Sequence, residues 1–238
     1  MLKNFIESKA SETEFRKLSA LGAKLRIPVP EAFLTMEVTM PDGEIIHSHS
    51  QRSHSYTRNF YNFMASQALF LDFKDTTWGA GLLSCKITVP FAIVYQNSPM
   101  NLSSSSASSE TSDTGGINAA AAQDSYGIVV GTGVTAESFE DYKLDTPITN
   151  GNSSGKLAFA GQKNPVRTYV AGTKTWTAVH TRFFNNNSGG SIDIGEVGVV
   201  AYFGSYTTLI TRDVITPVSL PDTGQLKAQY TFGIVFPA

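Results

Sequence analysis

The strongest constraint on the fold is an alternating apolar pattern near the end of the chain. From Leu226 to Phe236 every second residue is apolar. Side chains of a β-strand point alternately to its two faces, so this run predicts a strand with one face buried in a core. The same alternation from Leu34 to Met40 predicts a second half-buried strand. The turn sequence Pro41-Asp42-Gly43 would return it as a hairpin.

Further short strands separated by turns follow through the C-terminal half. Lys174–Phe184 predicts a strand that ends at the Asn- and Gly-rich turn 185–190. The apolar parity shifts at Gly195, which predicts a β-bulge. Leu209–Ile215 predicts another strand, which Pro217 would end. Many short strands with turns between them indicate a mainly β fold, an antiparallel β-sandwich or jelly roll.

A helix is predicted ahead of these strands. Ser11 and Glu14 have the spacing of a capping box, which starts a helix, and Pro28 and Pro30 would end it. Between them, apolar residues at helical spacing form one narrow stripe: Phe15, Leu18, Leu21 and Leu25. Such a stripe must cover either the body of this chain or a neighbour. Its four residues are therefore candidate interface residues.

The chain thus divides into an N-terminal helical arm, residues 1–30, and one β-sandwich domain, residues 31–238. A second, short helix is predicted within the domain from Tyr56 to Leu69. Strict alternation from Ile87 to Tyr95 predicts a central strand. A long Ser-rich loop is inserted directly afterwards, at about 97–125.

That inserted loop has little apolar area to offset the backbone entropy lost on ordering, about 1 kcal/mol or more per residue. We expect neighbouring chains to hold it. Its serine run supplies a second set of candidate interface residues: Ser103, Ser104, Ser105 and Ser106. The loop therefore indicates an assembly of subunits.

Charge and cysteine content exclude several classes of protein. Charged residues make up 16% of the chain, against about 25% in a typical soluble domain, and the net charge is −2. We expect no direct nucleic-acid binding, because that function needs a basic surface. The single Cys85 excludes an internal disulfide framework and a Cys-based zinc site. No signal peptide or membrane-spanning run is visible, so no membrane partner is expected.

His47 and His49 are the candidate metal ligands. In a strand, residues i and i+2 share a face, so two imidazoles could bind one metal ion. Strands of three copies meeting on an axis would bring six imidazole nitrogens together. The alternative interpretation is a pair of exposed polar residues on a strand, and no cofactor is expected.

Other catalytic patterns are incomplete. Gly131 and Gly133 fall in a G-x-G-x-x-A sequence after an apolar run, but the residues that follow are too short and acidic for a nucleotide-binding helix. A glycine-kinked strand end is the preferred interpretation. The carboxylates between Glu137 and Asp145 are interpreted as a solvated acidic loop. Cys85 is interpreted as a small buried apolar residue.

Three groups of residues in the second half of the chain resemble the structural proteins of tailed bacteriophages. They are Gly131-Thr132-Gly133 with the following Asp141–Asp145 and Pro147-Ile148; Thr181–Asn186 with Ser188–Gly198; and Leu209–Val214 with the closing alternating strand from Gly224. The resemblance covers about residues 127–236. It implies a non-enzymatic virion component that is made in the host cytoplasm. Its partners would be other copies of itself and other virion proteins.

The particular component stays open among capsid decoration, head fibre, neck, tail and baseplate. A receptor- or carbohydrate-binding β module of a phage tail or head fibre is the alternative, with a glycan as its partner. Trp78 and Trp176 are the aromatic residues that would test it. A hydrolase is the weakest hypothesis, because no G-x-S-x-G sequence is present and His180 is the one histidine in the C-terminal half.

Overall fold

The computed structural model describes residues 9–53, 55–69, 85–86, 93–94, 116–203 and 206–236. The chain is mainly β, with antiparallel sheets and two helices, as the sequence predicts. The helices are α1 (Lys9–Leu25) and α2 (Arg58–Leu69). The strands are β1 (Pro30–Thr39), β2 (Ile45–Arg52), β3 (Cys85–Lys86), β4 (Ile93–Val94), β5 (Gly127–Gly131), β6 (Ala158–Phe159), β7 (Val166–Val170), β8 (Thr175–Asn185), β9 (Ile192–Phe203), β10 (Tyr206–Leu220) and β11 (Gln225–Val235).

The larger sheet has the strand order β2-β1-β11-β8, and β6 and β7 both pair with β8 on its other edge. β1 and β11 are antiparallel along their whole length, with Pro30 opposite Ile234 and Thr39 opposite Gln225. Their alternating apolar residues share the inner face of the sheet. That face is fully buried at Leu34 on β1, and the predictions for both strands are confirmed.

The smaller sheet has the order β10-β9-β5 and is also antiparallel. The predicted strand end at Pro217 is wrong, because β10 continues to Leu220. The register between β10 and β9 shifts between Val214 and Val218, so the extra residues of β10 bulge out opposite Gly195. A bulged residue makes no ladder hydrogen bond, which lets a proline lie within the strand. The irregularity expected at Gly195 is present, but its extra residues belong to β10.

The two sheets pack face to face and bury one core between them. Its members come from both inner faces and from the loop between β5 and β6: Leu34, Met36, Val38, Ile128, Val130, Ile148, Leu157, Phe184, Ile194, Val197, Val199, Ile215, Leu220, Leu226, Ala228 and Tyr230, among others. Each valine, leucine, isoleucine, methionine or phenylalanine side chain buried in this way stabilises the fold by about 1.5–3 kcal/mol. The arrangement is the predicted β-sandwich.

The two helices lie outside this core, and one sequence interpretation of α1 is wrong. Ser11 falls inside the helix, which includes Lys9, so it does not cap the first turn. Glu14 instead binds Lys17, with 2.7 Å between Oε1 and Nζ. The predicted second helix is confirmed as α2. The backbone N–H of Thr57, just before it, donates to the carbonyl of Ile210 on β10 at 3.0 Å, which ties α2 to the smaller sheet.

Several sequence predictions fall on residues outside the described ranges. They are the serine run at 103–106, Trp78, and the part of the predicted central strand outside Ile93–Val94. Residues Ile93–Val94 form β4, which pairs with β3. The side chain of Cys85 in β3 is not described either, so its interpretation as a buried apolar residue stays a prediction.

Candidate functional site

The apolar stripe of α1 does not lie against the sandwich as a unit. Phe15 packs inward, because the Arg52 guanidinium of β2 lies over its ring at 3.7 Å from the ring centroid. Glu12, one turn earlier, forms an ion pair with the same Arg52, with 2.8 Å between Oε2 and Nη2. Arg52 also binds Glu31 of β1. One charged and one aromatic residue thus attach the helix to the outer face of the larger sheet.

The three leucines of the stripe point away from the body. Leu18, Leu21 and Leu25 are 52%, 51% and 56% exposed, and Ile27 just beyond the helix is 57% exposed. Their spacing of three and four residues places them side by side on one helix face. The candidate interface predicted from the sequence is therefore an outward-facing apolar stripe, apart from Phe15.

A second apolar surface lies where the end of α1 meets the β7–β8 turn and the end of β11. Ala23, Ile27, Gly172 and Val235 are among the residues that line a cleft there of about 290 Å³. The backbone N–H of Phe236 donates to the carbonyl of Lys174 at 2.9 Å, which holds the two chain segments together. The cleft lies between the helical arm and the edge of the larger sheet.

An apolar cavity of about 360 Å³ opens between the two sheets beside α2. Its walls come from α2, both sheets and the segment before β5, and include Tyr56, Phe60, Met64, Ile117, Trp176, Ala178, Val199, Ile210, Phe232 and Ile234. Trp176 is 42% exposed, and its ring lies 5.1 Å from that of Tyr169, centroid to centroid. The cavity mouth therefore carries an aromatic pair accessible to solvent.

β7 is an exposed edge strand that the sequence did not reveal. All five of its residues, Val-Arg-Thr-Tyr-Val from Val166 to Val170, are exposed. Among the described residues β7 pairs with β8 alone, so its other backbone edge has no strand beside it. Its content of β-branched and aromatic residues is the one sequence signal that favours a strand there.

The two candidate metal ligands share a face, as predicted, but that face is the inner one. His47 and His49 lie opposite Val38 and Met36 of β1, and their rings are stacked with 6.4 Å between centroids. His49 Nε2 lies 2.9 Å from Gln51 Oε1, and burial lowers the pKa of His47. Within the described ranges no three His, Cys, Asp or Glu side chains stand close enough to hold a metal ion. Metal binding by this pair stays a prediction.

The acidic loop before β6 is organised around a buried ion pair. Arg212 of β10 binds Glu196 of β9 at 2.7 Å and Asp141 of the loop at 2.8 Å. Glu196 is fully buried and also accepts the backbone N–H groups of Asp145 and Thr146. The interpretation of these carboxylates as solvated is therefore wrong for Asp141, which reaches inward to Arg212.

The same ion pair explains the glycines of the G-x-G sequence. A Cβ atom at Gly131 or Gly133 would collide with the carboxylate of Glu196. A Cβ at Gly195 would collide with the carbonyl of Gly133. The glycines therefore let the chain pass closely over a buried carboxylate at the end of β5. The strand end predicted at these glycines is confirmed, since β5 ends at Gly131, and the kink predicted there stays a prediction.

A second buried carboxylate bridges the two sheets. Asp213 of β10 accepts hydrogen bonds from Tyr230 Oη of β11 at 2.7 Å and Ser53 Oγ at 2.9 Å, both through Oδ2. Burial raises the pKa of Asp213 to about 7, against the pull of those two donors. The group is enclosed, so it serves the fold rather than a solvent-borne substrate.

Arg182 of β8 is a buried cation that binds backbone carbonyls and holds a loop. Its side chain donates to the carbonyls of Ala120, Gln123, Tyr126, Ile128 and Ala160. Burial lowers its pKa to about 10. The last part of the Ser-rich loop, residues 116–125, is thus fixed by its own chain. The expectation that neighbouring chains must hold the loop is wrong for that part.

Two kinds of feature emerge from these contacts. The groups around Arg182, Glu196 and Asp213 are buried, and their partners are side chains and backbone groups of the same chain. The accessible features that carry apolar side chains are the leucine stripe of α1, the cleft beside it, the cavity mouth and the edge of β7, where Arg167 and Thr168 are also exposed. The sequence found the first of these. It missed the cleft and the cavity because their members are far apart along the chain, and it missed β7 because none of that strand's residues is buried.

Neither of the two described helices combines the length and hydrophobicity needed to cross a membrane. No protein-family model, curated protein or solved structure matches this chain.

Proposed function

We propose that the chain is a non-enzymatic structural component of a bacteriophage particle, acting through contacts between subunits. The observation that carries the proposal is the outward-facing stripe of Leu18, Leu21 and Leu25, each more than half exposed. Covering the exposed half of a leucine side chain contributes about 1 kcal/mol, so the stripe offers about 3 kcal/mol to a partner that buries it. A capsid-associated, neck or tail position would provide such a partner.

The low charge of the chain supports the same proposal. With 16% charged residues, much of the surface consists of uncharged polar and apolar groups. Fewer charges have to leave water when such surfaces meet, so close and repeated contacts between subunits cost less. The virion as location and other virion proteins as partners belong to this proposal.

The resemblance to tailed-phage structural proteins adds a further argument. Several of the residues that carry the resemblance make buried contacts within the sandwich. They are Arg182, Glu196, Arg212 and the glycines at 131 and 133. Part of the resemblance therefore falls on positions that build the fold. This supports a shared framework and leaves the particular component open.

The test is incorporation into particles of the phage that encodes the chain. Mass spectrometry of purified particles should detect the wild-type protein at a constant copy number. A Leu18→Gln, Leu21→Gln, Leu25→Gln variant, supplied in place of the wild type, should be incorporated roughly a hundredfold less, because about 3 kcal/mol of contact is lost at each copy. Absence of the wild-type protein from purified particles would contradict the proposal.

The matched control for this variant lies on the same helix. Lys17→Gln with Lys24→Gln changes exposed polar residues of α1 and leaves the three leucines in place. It should be incorporated like the wild type. Circular dichroism of both variants checks that the fold is kept.

A receptor- or carbohydrate-binding module is the second candidate function. The solvent-accessible aromatic pair of Tyr169 and Trp176 at the cavity mouth favours it, since an exposed aromatic face can stack on an apolar ligand surface. Glycan-array binding that is lost in Trp176→Ala would support this function. An array without any bound glycan would count against it.

A further inference from the structure

We propose that β7 pairs with β7 of a second copy across a two-fold axis, joining two larger sheets into one continuous sheet. The inference rests on the proposed assembly role and names one contact by which it is made. An edge strand presents unpaired N–H and C=O groups along one side, which is a template for another strand. No described strand lies along the other edge of β7, and all five of its residues are exposed.

The sequence of β7 selects a second copy as the partner. In Val166-Arg167-Thr168-Tyr169-Val170 the valines lie at equal distances on either side of Thr168, and a cation and an aromatic residue occupy the two positions between. An antiparallel pair centred on Thr168 places Val166 opposite Val170, Arg167 opposite Tyr169 and Thr168 opposite itself. Valine pairs, threonine pairs and a cation over an aromatic ring are all favourable cross-strand neighbours. A two-fold contact needs such a self-complementary surface.

Backbone geometry fixes the centre of the pair. In an antiparallel pair, hydrogen bonds join residues that both point their N–H and C=O groups toward the partner. When the two-fold axis passes through one residue, even-numbered residues of one copy lie opposite even-numbered residues of the other, and odd opposite odd. The N–H and C=O groups that point away from β8 in one copy then meet the same groups of the other copy. Centring on Arg167 would place two arginines face to face, and centring on Tyr169 would place Val166 and Arg167 opposite the turn that follows β7 of the other copy. Thr168 is the centre that pairs all five residues.

The side chains agree with this geometry. Val166 and Val170 are 63% and 48% exposed and share one face of the strand with Thr168. Pairing about Thr168 places one valine pair on each side of the threonine pair on that face. The other face carries Tyr169, which already packs against Trp176. Both faces of the joined sheet would thus be continuous across the axis.

A single cysteine tests the pairing directly. In a Cys85→Ser background, Thr168→Cys places two cysteines opposite each other on the axis, with Cα atoms about 4.5–5.5 Å apart, which suits a disulfide. Thr177→Cys is the matched control, because Thr177 is the cross-strand neighbour of Thr168 on β8, one strand further from the axis. Under mild oxidation, Thr168→Cys should form covalent dimers roughly tenfold faster than Thr177→Cys. Equal rates would overturn the proposal.

A charge on the axis gives an independent measurement without oxidation. Thr168→Lys places two ammonium groups face to face, so sedimentation should show a monomer where the wild type and Thr177→Lys show a dimer. A dimer that persists in Thr168→Lys overturns the β7 contact while leaving the structural role intact. The structural role fails separately, if the wild-type protein is absent from purified particles.

Discussion

Replacing Arg182 with methionine removes a fully buried cation whose five hydrogen bonds all go to backbone carbonyls. At about 1.5 kcal/mol for each hydrogen bond from a charged donor, the five bonds contribute about 7 kcal/mol. Burial of the guanidinium opposes them. A pKa held near 10, against a usual value of 12.5, corresponds to about 3 kcal/mol.

The difference of about 4 kcal/mol is the expected loss of unfolding free energy in Arg182→Met, because methionine leaves the five carbonyls without their donor. Arg182→Lys should lose less, about 2 kcal/mol, since an ammonium group retains up to three donors. The control is Arg16→Met, whose side chain is 78% exposed on α1 and which should change stability by less than about 0.5 kcal/mol.

Guanidinium unfolding followed by tryptophan fluorescence measures these differences. Hydrogen exchange supplies a local measurement at the same site. The N–H of Ala122, bound to the carbonyl of Phe159, and the N–H of Gln162, bound to that of Ala119, should exchange faster in Arg182→Met. A loss below about 1 kcal/mol would refute the reasoning, because it would mean that water replaces the guanidinium at little cost.

Three further predictions concern the other buried groups. Gly133→Ala should lower the free energy of unfolding by about 2 kcal/mol in denaturant titrations, because its Cβ displaces the Glu196 carboxylate. The control is Gly172→Ala, which has open space at that position and should change the free energy of unfolding by less than about 0.5 kcal/mol. Equal effects of the two changes would contradict the close approach. Asp213 has a folded pKa of about 7, above its usual 3.8, so the contribution of its protonated form to the free energy of unfolding is present below pH 4 and is lost as the pH rises to 7. This loss is on the order of 2–4 kcal/mol. Asp213→Asn should abolish it. Burial holds the pKa of His180 near 4, so the contribution of the neutral imidazole to the free energy of unfolding is present above pH 6.5 and is lost on acidification to pH 4. In His180→Phe the free energy of unfolding should therefore fall less between pH 6.5 and pH 4. An unchanged fall would show that another group causes it.

The strands were predictable wherever one face meets a core. Alternation from Leu34 to Met40 and from Leu226 to Phe236 identifies β1 and β11, because the buried face reappears at every second residue. The same logic did not reveal β7, since none of its residues is buried. A strand stabilised by its neighbour's backbone alone leaves no periodic apolar pattern.

The candidate site was predictable in part. Helical spacing identifies the apolar stripe of α1, but it cannot say which side of the helix meets the body. That choice follows from Arg52, which is on β2 and binds both Glu12 and Phe15. The leucines face outward as a consequence. Contacts between residues so distant in the sequence have no signature in local spacing.

The glycines show the same limit. Gly131 and Gly133 could be read as phosphate-binding residues until their neighbour is known. That neighbour is Glu196, more than sixty residues later in the chain, which supplies the steric reason for both. Pro217 was misread for a related reason, since a proline ends a regular strand but fits at a bulge.

The pairing of β1 with β11 has a consequence for synthesis. β1 is flanked by β2 on one side and by β11 on the other, and β11 leaves the ribosome about 190 residues after β1. Until then the β1–β2 hairpin has one open side and an uncovered inner face carrying Leu34 and Met36. An open apolar hairpin is a site of premature association in a crowded cell. The last strand made therefore both completes the larger sheet and ends the period in which a nascent chain can pair with the wrong neighbour.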